Sequence, residues 1–491
     1  MGILRLEAAP HFRHPSFSDL GEDLRSVDEG RKQMASVYWD TIDLRLARWG
    51  ASLVCSDGEG WRLTLPGVAQ GAEGRPPGAN GDDAPPRDLL DLLHGYVRGA
   101  PIGPVARLRR VRRSTSVQDA AGDELVRVMS DEISVLDGRR VAARYRQIVL
   151  DNHREADIAV VHAVLTRLRA AGAGGPDLVD EHVHVLGPVA DEPAEVSIPS
   201  LGPGATLLEA VQGIVGASAI RLLRHDAGVR LGRDDEAVHQ ARVATRRLRS
   251  DLDTFSAILD PRAVRRLRAE LKWLADLLGE VRDAEVMALR FRKQLDDMGA
   301  TDGRAEPIVA ALVARRDDGR SRLLAGMRSA RYSRLLDAVV EFAHAPGLRG
   351  DGGQAASEVL PGLAAAPWKA LARAVEKLPR HPADEQLHRV RIAAKRARYA
   401  AEAAAPVIGD AAGRFAEAVA ALQGTLGDFN DAVVAGAWLV EIGPHLDGPS
   451  AFLAGALSER QRAMGAAAAA GWKREWKEVD RSRLLRWMSG G

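Results

Sequence analysis

The stretch Val238-His-Gln-Ala-Arg-Val-Ala-Thr-Arg-Arg-Leu-Arg249 recurs as Leu387-His-Arg-Val-Arg-Ile-Ala-Ala-Lys-Arg-Ala-Arg398. His239, Arg242, Arg246, Arg247 and Arg249 fall on His388, Arg391, Lys395, Arg396 and Arg398 without a gap, 149 positions apart. Each copy is followed at nearly equal distance by a second shared element, Leu278-Gly-Glu-Val-Arg-Asp283 and Leu426-Gly-Asp-Phe-Asn-Asp431. Two elements repeated in the same order mark a duplicated structural unit rather than a chance match.

Helix geometry gives the repeat a chemical meaning. At about 100° per residue, positions i, i+3, i+7 and i+10 share a face about 80° wide. His239, Arg242, Arg246 and Arg249 therefore project together, and so do His388, Arg391, Lys395 and Arg398. Ten residues of helix make each cationic strip about 15 Å long. Like charges at this spacing repel one another unless solvent or an anion screens them. A chain of phosphates would screen such a strip along its length, because guanidinium groups fork onto phosphate oxygens. A single basic helix is ordinarily a solvated face, and that reading is kept for the unrepeated basic run 262–268. The recurring histidine and spacing argue otherwise for the two strips. Lys272 and Arg282, ten apart, extend the first strip, but Ala420 and Asn430 stand at the corresponding places in the second copy.

From about residue 206 onward the hydrophobic period is helical, with long Ala/Leu/Arg stretches. Gly/Pro breaks near 228–232, 260–261, 299–303, 346–353, 379–382, 406–413 and 443–449 divide the region into long antiparallel helices. The preceding part reads mostly as strands: runs at 37–40, 52–55, 61–65, 105–117, 124–129, 132–136 and 141–150, punctuated by turn chemistry such as Asp57-Gly58. A helix is expected over 155–171, a loose Gly/Pro/Asp/Ala loop over 67–86 and a linker over 187–204. At 491 residues the chain is long enough for two or three cores. The overall net charge of +1 conceals an uneven distribution. Residues 201–491 hold 44 Lys+Arg against 37 Asp+Glu, and residues 1–200 hold 24 against 30, which places anion binding in the second part. Cys55 is the only cysteine, which excludes intrachain disulfides and cysteine-based metal sites. No apolar run has the length of a signal sequence or a membrane span, so a cytoplasmic location is expected.

The paired His/Arg helices, each followed by an LGxxxD element, resemble the CHAD family, the conserved histidine α-helical domain. The resemblance covers roughly 205–485 and implies two pseudo-symmetric helical bundles around a basic channel or cleft that binds inorganic polyphosphate. It also implies a place at polyphosphate granules. The histidines would either meet the ligand or hold neighbouring helices together. In the first part, Tyr38-Trp-Asp-Thr-Ile-Asp-Leu-Arg-Leu-Ala-Arg-Trp-Gly50 and Gly60-Trp-Arg-Leu-Thr-Leu-Pro66 resemble the CYTH, or triphosphate-tunnel, family. That implies an antiparallel barrel or tunnel over 1–186, whose active members hold a divalent metal on inward glutamates and cradle a triphosphate with Lys/Arg.

This sequence departs from that pattern. The opening ExExK strand is replaced by Leu4-Arg-Leu-Glu-Ala-Ala9, leaving Glu7 alone. Arg144-Tyr-Arg-Gln-Ile-Val149 carries no acid, Ser52-Leu-Val-Cys55 carries no charge, and Thr64 stands where a lysine is usual. Arg62 and the run Arg107, Arg109, Arg110, Arg112 and Arg113 remain. Asp131, Glu132 and Glu181 read as solvated loop or hairpin acids, and His182 and His184 as a surface strand.

The expected fold is therefore α+β and multidomain: an antiparallel tunnel, then an all-α two-bundle domain with an internal repeat. The expected function is polyphosphate binding through His239, Arg242, Arg246, Arg247, Arg249, Lys272, Arg282, His388, Arg391, Lys395, Arg396 and Arg398. No catalytic or metal-ligating residue is assigned, and no cofactor, with Mg²⁺ or Mn²⁺ entering only if the tunnel is active. No membrane partner is expected. The first alternative is a metal-dependent triphosphatase or polyphosphatase acting in the tunnel. The second is nucleic-acid binding by the same helices, which is disfavoured because single-strand binders add aromatic stacking platforms and the helices offer only Tyr399.

Overall fold

The computed structural model describes all residues except 1, 10, 22, 67–71, 74–83, 139, 153–157, 301–302 and 489–491. Most of the loop expected over 67–86 and the start of the helix expected over 155–171 lie outside the described residues. The chain divides into two compact units, residues 1–194 and 195–491.

Among the described residues the first unit is built on nine strands: β1 (Gly2–Ala8), β2 (Arg25–Asp40), β3 (Ser52–Ser56), β4 (Gly60–Thr64), β5 (Ala72–Glu73), β6 (Gly103–Gln118), β7 (Glu124–Asp137), β8 (Arg140–Asn152) and β9 (Ala173–Pro176). They form one sheet in the order β5-β4-β3-β2-β6-β7-β8-β1-β9. Every ladder is antiparallel. The runs at 124–129 and 132–136 are a single strand, β7, because Ser130 and Asp131 continue the pairing with Arg113 and Arg112 of β6. Among the described residues the sheet is accompanied by the helices α1 (Arg45–Arg48), α2 (Arg87–Leu92), α3 (His94–Val97), α4 (Ile158–Ala170) and α5 (Glu181–Leu186). Helix α4 packs Val164 and Leu168 on Leu6, Val117, Val126, Val128, Ile148 and Leu150. The segment expected as a His182/His184 strand is helix α5 instead, following Asp180. The alternation there is too short to define a strand, and the ring of His184 stacks on Tyr145 of β8 at 4.9 Å.

The second unit is all helical in its regular structure: α6 (Leu207–Leu231), α7 (Glu236–Thr254), α8 (Pro261–Asp297), α9 (Glu306–Met327), α10 (Ala330–His344), α11 (Ala356–Glu376), α12 (Asp384–Ile408), α13 (Asp410–Ile442) and α14 (Gly448–Val479). Sequence-adjacent helices pack from α6 to α9 and again from α11 to α14, with α10 laid against α6, α8 and α9. The repeat is visible in the backbone. Leu207 donates its N–H to the Gln354 carbonyl at 2.9 Å, and Ala356 donates to Ala205 at 3.0 Å. Leu207 and Ala356, like Ala205 and Gln354, are 149 positions apart. The two bonds are thus repeat equivalents of each other, which is what a local pseudo-two-fold axis requires.

The apolar stripe of each repeat helix explains where its cations sit. In α7 the residues Val238, Ala241, Thr245 and Leu248 are buried; in α12 so are Leu387, Val390, Ala394 and Ala397. His239, Arg242, Arg246 and Arg249 each follow one of these by a single position, as do His388, Arg391, Lys395 and Arg398. One residue is a 100° turn, so the strips run along the border of the core, and all but His388 are half-buried.

Candidate anion-binding site

Helices α7 and α12 pack against each other, which brings the two strips into one place. A cavity of about 400 Å³ is lined by His239, Arg242 and Arg246 of the first strip, Arg391 of the second, Arg282 and Arg290 of α8, and Asn430 and Asp431 of α13. A second cavity, of about 830 Å³, shares His239, Val243 and Arg246 with the first and adds Arg247, Arg398, Tyr399, Glu402 and Gln423. Arg246 therefore borders both spaces.

Lys395 reports most directly on the electrostatics. Its ammonium is pushed from the ordinary 10.5 down to about 7, by burial first and then by Arg246, Arg249, Arg391 and Arg242. Three of these arginines, Arg242, Arg246 and Arg249, come from α7, and Arg391 comes from Lys395's own helix. Burial likewise lowers Arg242, opposed by Asp283 and reinforced by Arg246. The Nε atoms of Arg246, Arg249 and Arg391 are buried without a hydrogen-bond partner. Leaving such a donor unmet costs about 1–3 kcal/mol, a cost that an oxygen-rich anion in the cavity would relieve.

The shared LGxxxD elements serve the same site. Arg242 reaches Asp283 at 3.0 Å, lying across Gly279 so closely that an added Cβ there would sit 2.8 Å from its Nη1. The equivalent Gly427 has open space around it. His388 is exposed, and its Nδ1 is 2.7 Å from Oδ1 of Asn430, so this histidine ties α12 to α13. His239 instead lines both cavities.

The remaining expected residues are placed differently. Arg247 is bonded to Glu402 and to Asp251, the latter at 3.0 Å. Arg398 meets the same Glu402 at 2.7 Å, and both guanidinium groups lie over the ring of Tyr399, at 5.1 and 5.2 Å. Lys272 is exposed and pairs with Asp276 at 2.6 Å, while Arg396 is exposed on another face of α12; neither lines the two cavities. Sequence reasoning had not assigned Arg290, Asp283, Asn430, Asp431, Asp251 or Glu402 to the site. The repeated LGxxxD signature signalled Asp283, Asn430 and Asp431; nothing local signalled Glu402.

The first unit holds its own polar cavity of about 360 Å³, lined by alternate residues of β2, β3, β4 and β6 and by residues 180–182. Of the three acids expected to be solvated, Asp131 and Glu181 are not. Asp131 is buried and accepts two bonds of 2.7 Å from Arg112. Glu181 accepts from Arg110 at 2.5 Å and from the Tyr38 hydroxyl at 2.9 Å. Glu132 is the exposed one, 3.6 Å from Arg146. Arg5 pairs with Asp180 at 4.0 Å and Arg62 with Glu59 at 3.1 Å. Arg110 and Arg112 thus meet Asp131 across the β6–β7 ladder, where register and not local sequence sets the partner. Among the described residues no group of three His, Cys, Asp or Glu side chains is placed to hold a metal ion.

A duplicated all-helical domain whose two repeat helices share one basic cavity defines the class. Residues 214–440 match the CHAD domain family, and the chain belongs to the family of proteins that carry it. Among its relatives is the uncharacterized protein Rv2226 of Mycobacterium tuberculosis, 31% identical over 478 residues, covering 91% of this chain and 90% of the relative. A counterpart from a second strain of that organism, MT2285, matches to the same extent. Among solved structures, PptA from Streptomyces chartreusis is similar with a TM-score of 0.47 at 24% identity, over 56% of this chain and all of that one. The CHAD domain of the plant Ricinus communis is similar with a TM-score of 0.43 at 26% identity, over 60% and 95%. No helix among the described residues is long and apolar enough to cross a membrane.

Proposed function

We propose that the helical unit binds inorganic polyphosphate along the joined strips of α7 and α12. The observation that carries the reading is Lys395, held half-buried among four arginines from both repeats. The strongest charges acting on it are all cationic, and three neighbouring guanidinium Nε donors lack partners. Such a cluster is a poor structural element and a good receptor for closely spaced phosphates, whose oxygens satisfy forked donors. Binding to a phosphate chain draws its free energy largely from counterion release, so affinity falls steeply with salt.

The test is a chain carrying Arg242→Glu, Arg246→Glu, Arg391→Glu and Lys395→Glu together. It is expected to stay folded and to lose binding of long-chain polyphosphate. Undiminished binding by the folded variant overturns the proposal.

A second reading, hydrolysis in the cavity of the first unit, is favoured by the cation-rich walls around Arg110 and Arg112. Against it, those cations are matched by Asp131 and Glu181. Phosphate release from tripolyphosphate with Mg²⁺ or Mn²⁺, lost on Glu7→Ala, is the result that would establish it. Nucleic acid fits less well, because Tyr399, the one aromatic ring of the strips, is buried and covered by Arg247, Arg398 and Lys395.

A further inference from the structure

The cations of the two repeat helices are not all held alike before any ligand arrives. Arg246, Arg249, Arg391 and Lys395 have no ion pair within 4 Å among the described residues, whereas Arg247 and Arg398 do. These two arginines, one from each repeat helix, converge on the single carboxylate of Glu402. All three side chains are half-buried, at 18%, 27% and 32% exposure, and all line the larger cavity. The arrangement is not part of the repeat: the position 149 residues before Glu402 is Asp253, which faces away to pair with Arg268 at 2.8 Å. Tyr399 fixes the fork from the other side, since its ring lies beneath both guanidinium groups. Behind it, Asp251 is buried beside Arg247, its carboxyl raised to about 7 by burial against the pull of that arginine. The charge on Glu402 is therefore the main counter-ion shared by the fork.

We infer that Glu402 sets the length selectivity of the site, by occupying Arg247 and Arg398 as a resident anion that only a polyanion anchored elsewhere on the strips displaces. This rests on the polyphosphate reading above. A tethered carboxylate competes as an intramolecular ligand, with an effective concentration in the millimolar range or higher. A free orthophosphate or tripolyphosphate must beat it from solution with few contacts to spare. A long chain bound at Arg242, Arg246, Arg391 and Lys395 presents its next phosphates to the fork intramolecularly too, and so competes on equal terms. The carboxylate consequently suppresses short anions while costing long chains little. The asymmetry also distinguishes the cavities: Arg391, open, lines only the smaller one, and the sheathed Arg247 and Arg398 line only the larger one.

The experiment is calorimetric titration of the full chain and its Glu402→Gln variant with tripolyphosphate and with long-chain polyphosphate at fixed ionic strength. The variant keeps the side-chain shape and removes the charge. Its affinity for tripolyphosphate is expected to rise about tenfold, as for an interaction of about 1.4 kcal/mol. Its affinity for long chains is expected to rise less than about threefold, and its salt dependence to steepen by about one unit, because the variant has one fixed negative charge fewer at the site where the chain gives up its condensed counterions. Glu402→Asp, which keeps the charge and withdraws it by one methylene, gives a smaller rise in the same direction and carries the test should the glutamine variant not fold. Equal changes for short and long anions overturn the inference and leave the polyphosphate reading standing. Absence of long-chain binding by the unaltered protein overturns both.

Discussion

Polyphosphate binding should draw a proton onto Lys395, and the structure fixes both the sign and the size of the effect. In the free protein this lysine is displaced from 10.5 to about 7. A folded pKa below the unfolded one means that the folded chain carries fewer protons between those values. The stability of the free protein therefore rises with pH from about 7 to 10.5, and the full cost of the charged ammonium is present below about 7. An anion in the cavity reverses this by favouring the ammonium. Relief of the whole displacement would correspond to ~5 kcal/mol. Because Lys395 is only half-buried, solvent screening reduces the recoverable part to ~2 kcal/mol, or about 30-fold in affinity. Affinity should accordingly fall as pH rises from 7 to 9. At pH 8 binding should take up roughly half a proton or more, measured from the dependence of the calorimetric enthalpy on the ionisation enthalpy of the buffer. The terminal phosphates of the ligand also titrate near neutrality, so Lys395→Arg, which keeps the charge at every pH used, supplies the baseline. If the unaltered protein and Lys395→Arg take up the same number of protons at pH 8, the electrostatic account of the cavity is wrong.

Three further outcomes are expected. Gly279→Ala should stabilise α8 by up to about 1 kcal/mol through helix propensity while weakening polyphosphate binding severalfold, because the new methyl displaces Arg242; Gly427→Ala, in open space, should raise the melting temperature without altering affinity. In the first unit, Asp131→Ala strands Arg110 and Arg112 without their buried partner and should cost about 3 kcal/mol in urea unfolding, whereas an unchanged midpoint would show that the pair is not structural. His14, bonded to Ser130 and Thr115 at 2.8 Å each, is lowered from 6.5 to about 4 by burial and then by Arg113. Its contribution is thus full above pH 6.5 and is lost as pH falls through about 4, on the order of 2 kcal/mol, and His14→Gln should flatten the acid limb of the stability profile.

The repeat and the strips were legible because both are local. Helical period places His239, Arg242, Arg246 and Arg249 on one face whatever the helix packs against, and the matching run 149 positions later marks a duplication. The strands 105–117 and 141–150 were legible for the same reason, as alternating runs between turns. Arg247 and Arg398 could not be told from their neighbours by sequence, because a carboxylate four residues past Arg398 looks like an ordinary helical pair. Its capture of Arg247 from the other repeat appears only when α7 meets α12.

Sequence alone thus determined that this chain has two basic helices of one design and, before them, a strand region whose opening strand lacks the ExExK pattern. Tertiary structure decided which charges remain open. It set Arg246 and Lys395 among like charges, and it gave Arg247 and Arg398 to Glu402. Across the strands it gave Arg110 and Arg112 to Asp131 and Glu181. The physical reason is that spacing along a helix or strand fixes direction, whereas neutralisation acts over a few ångströms between residues far apart in sequence, 155 positions in the case of Arg247 and Glu402.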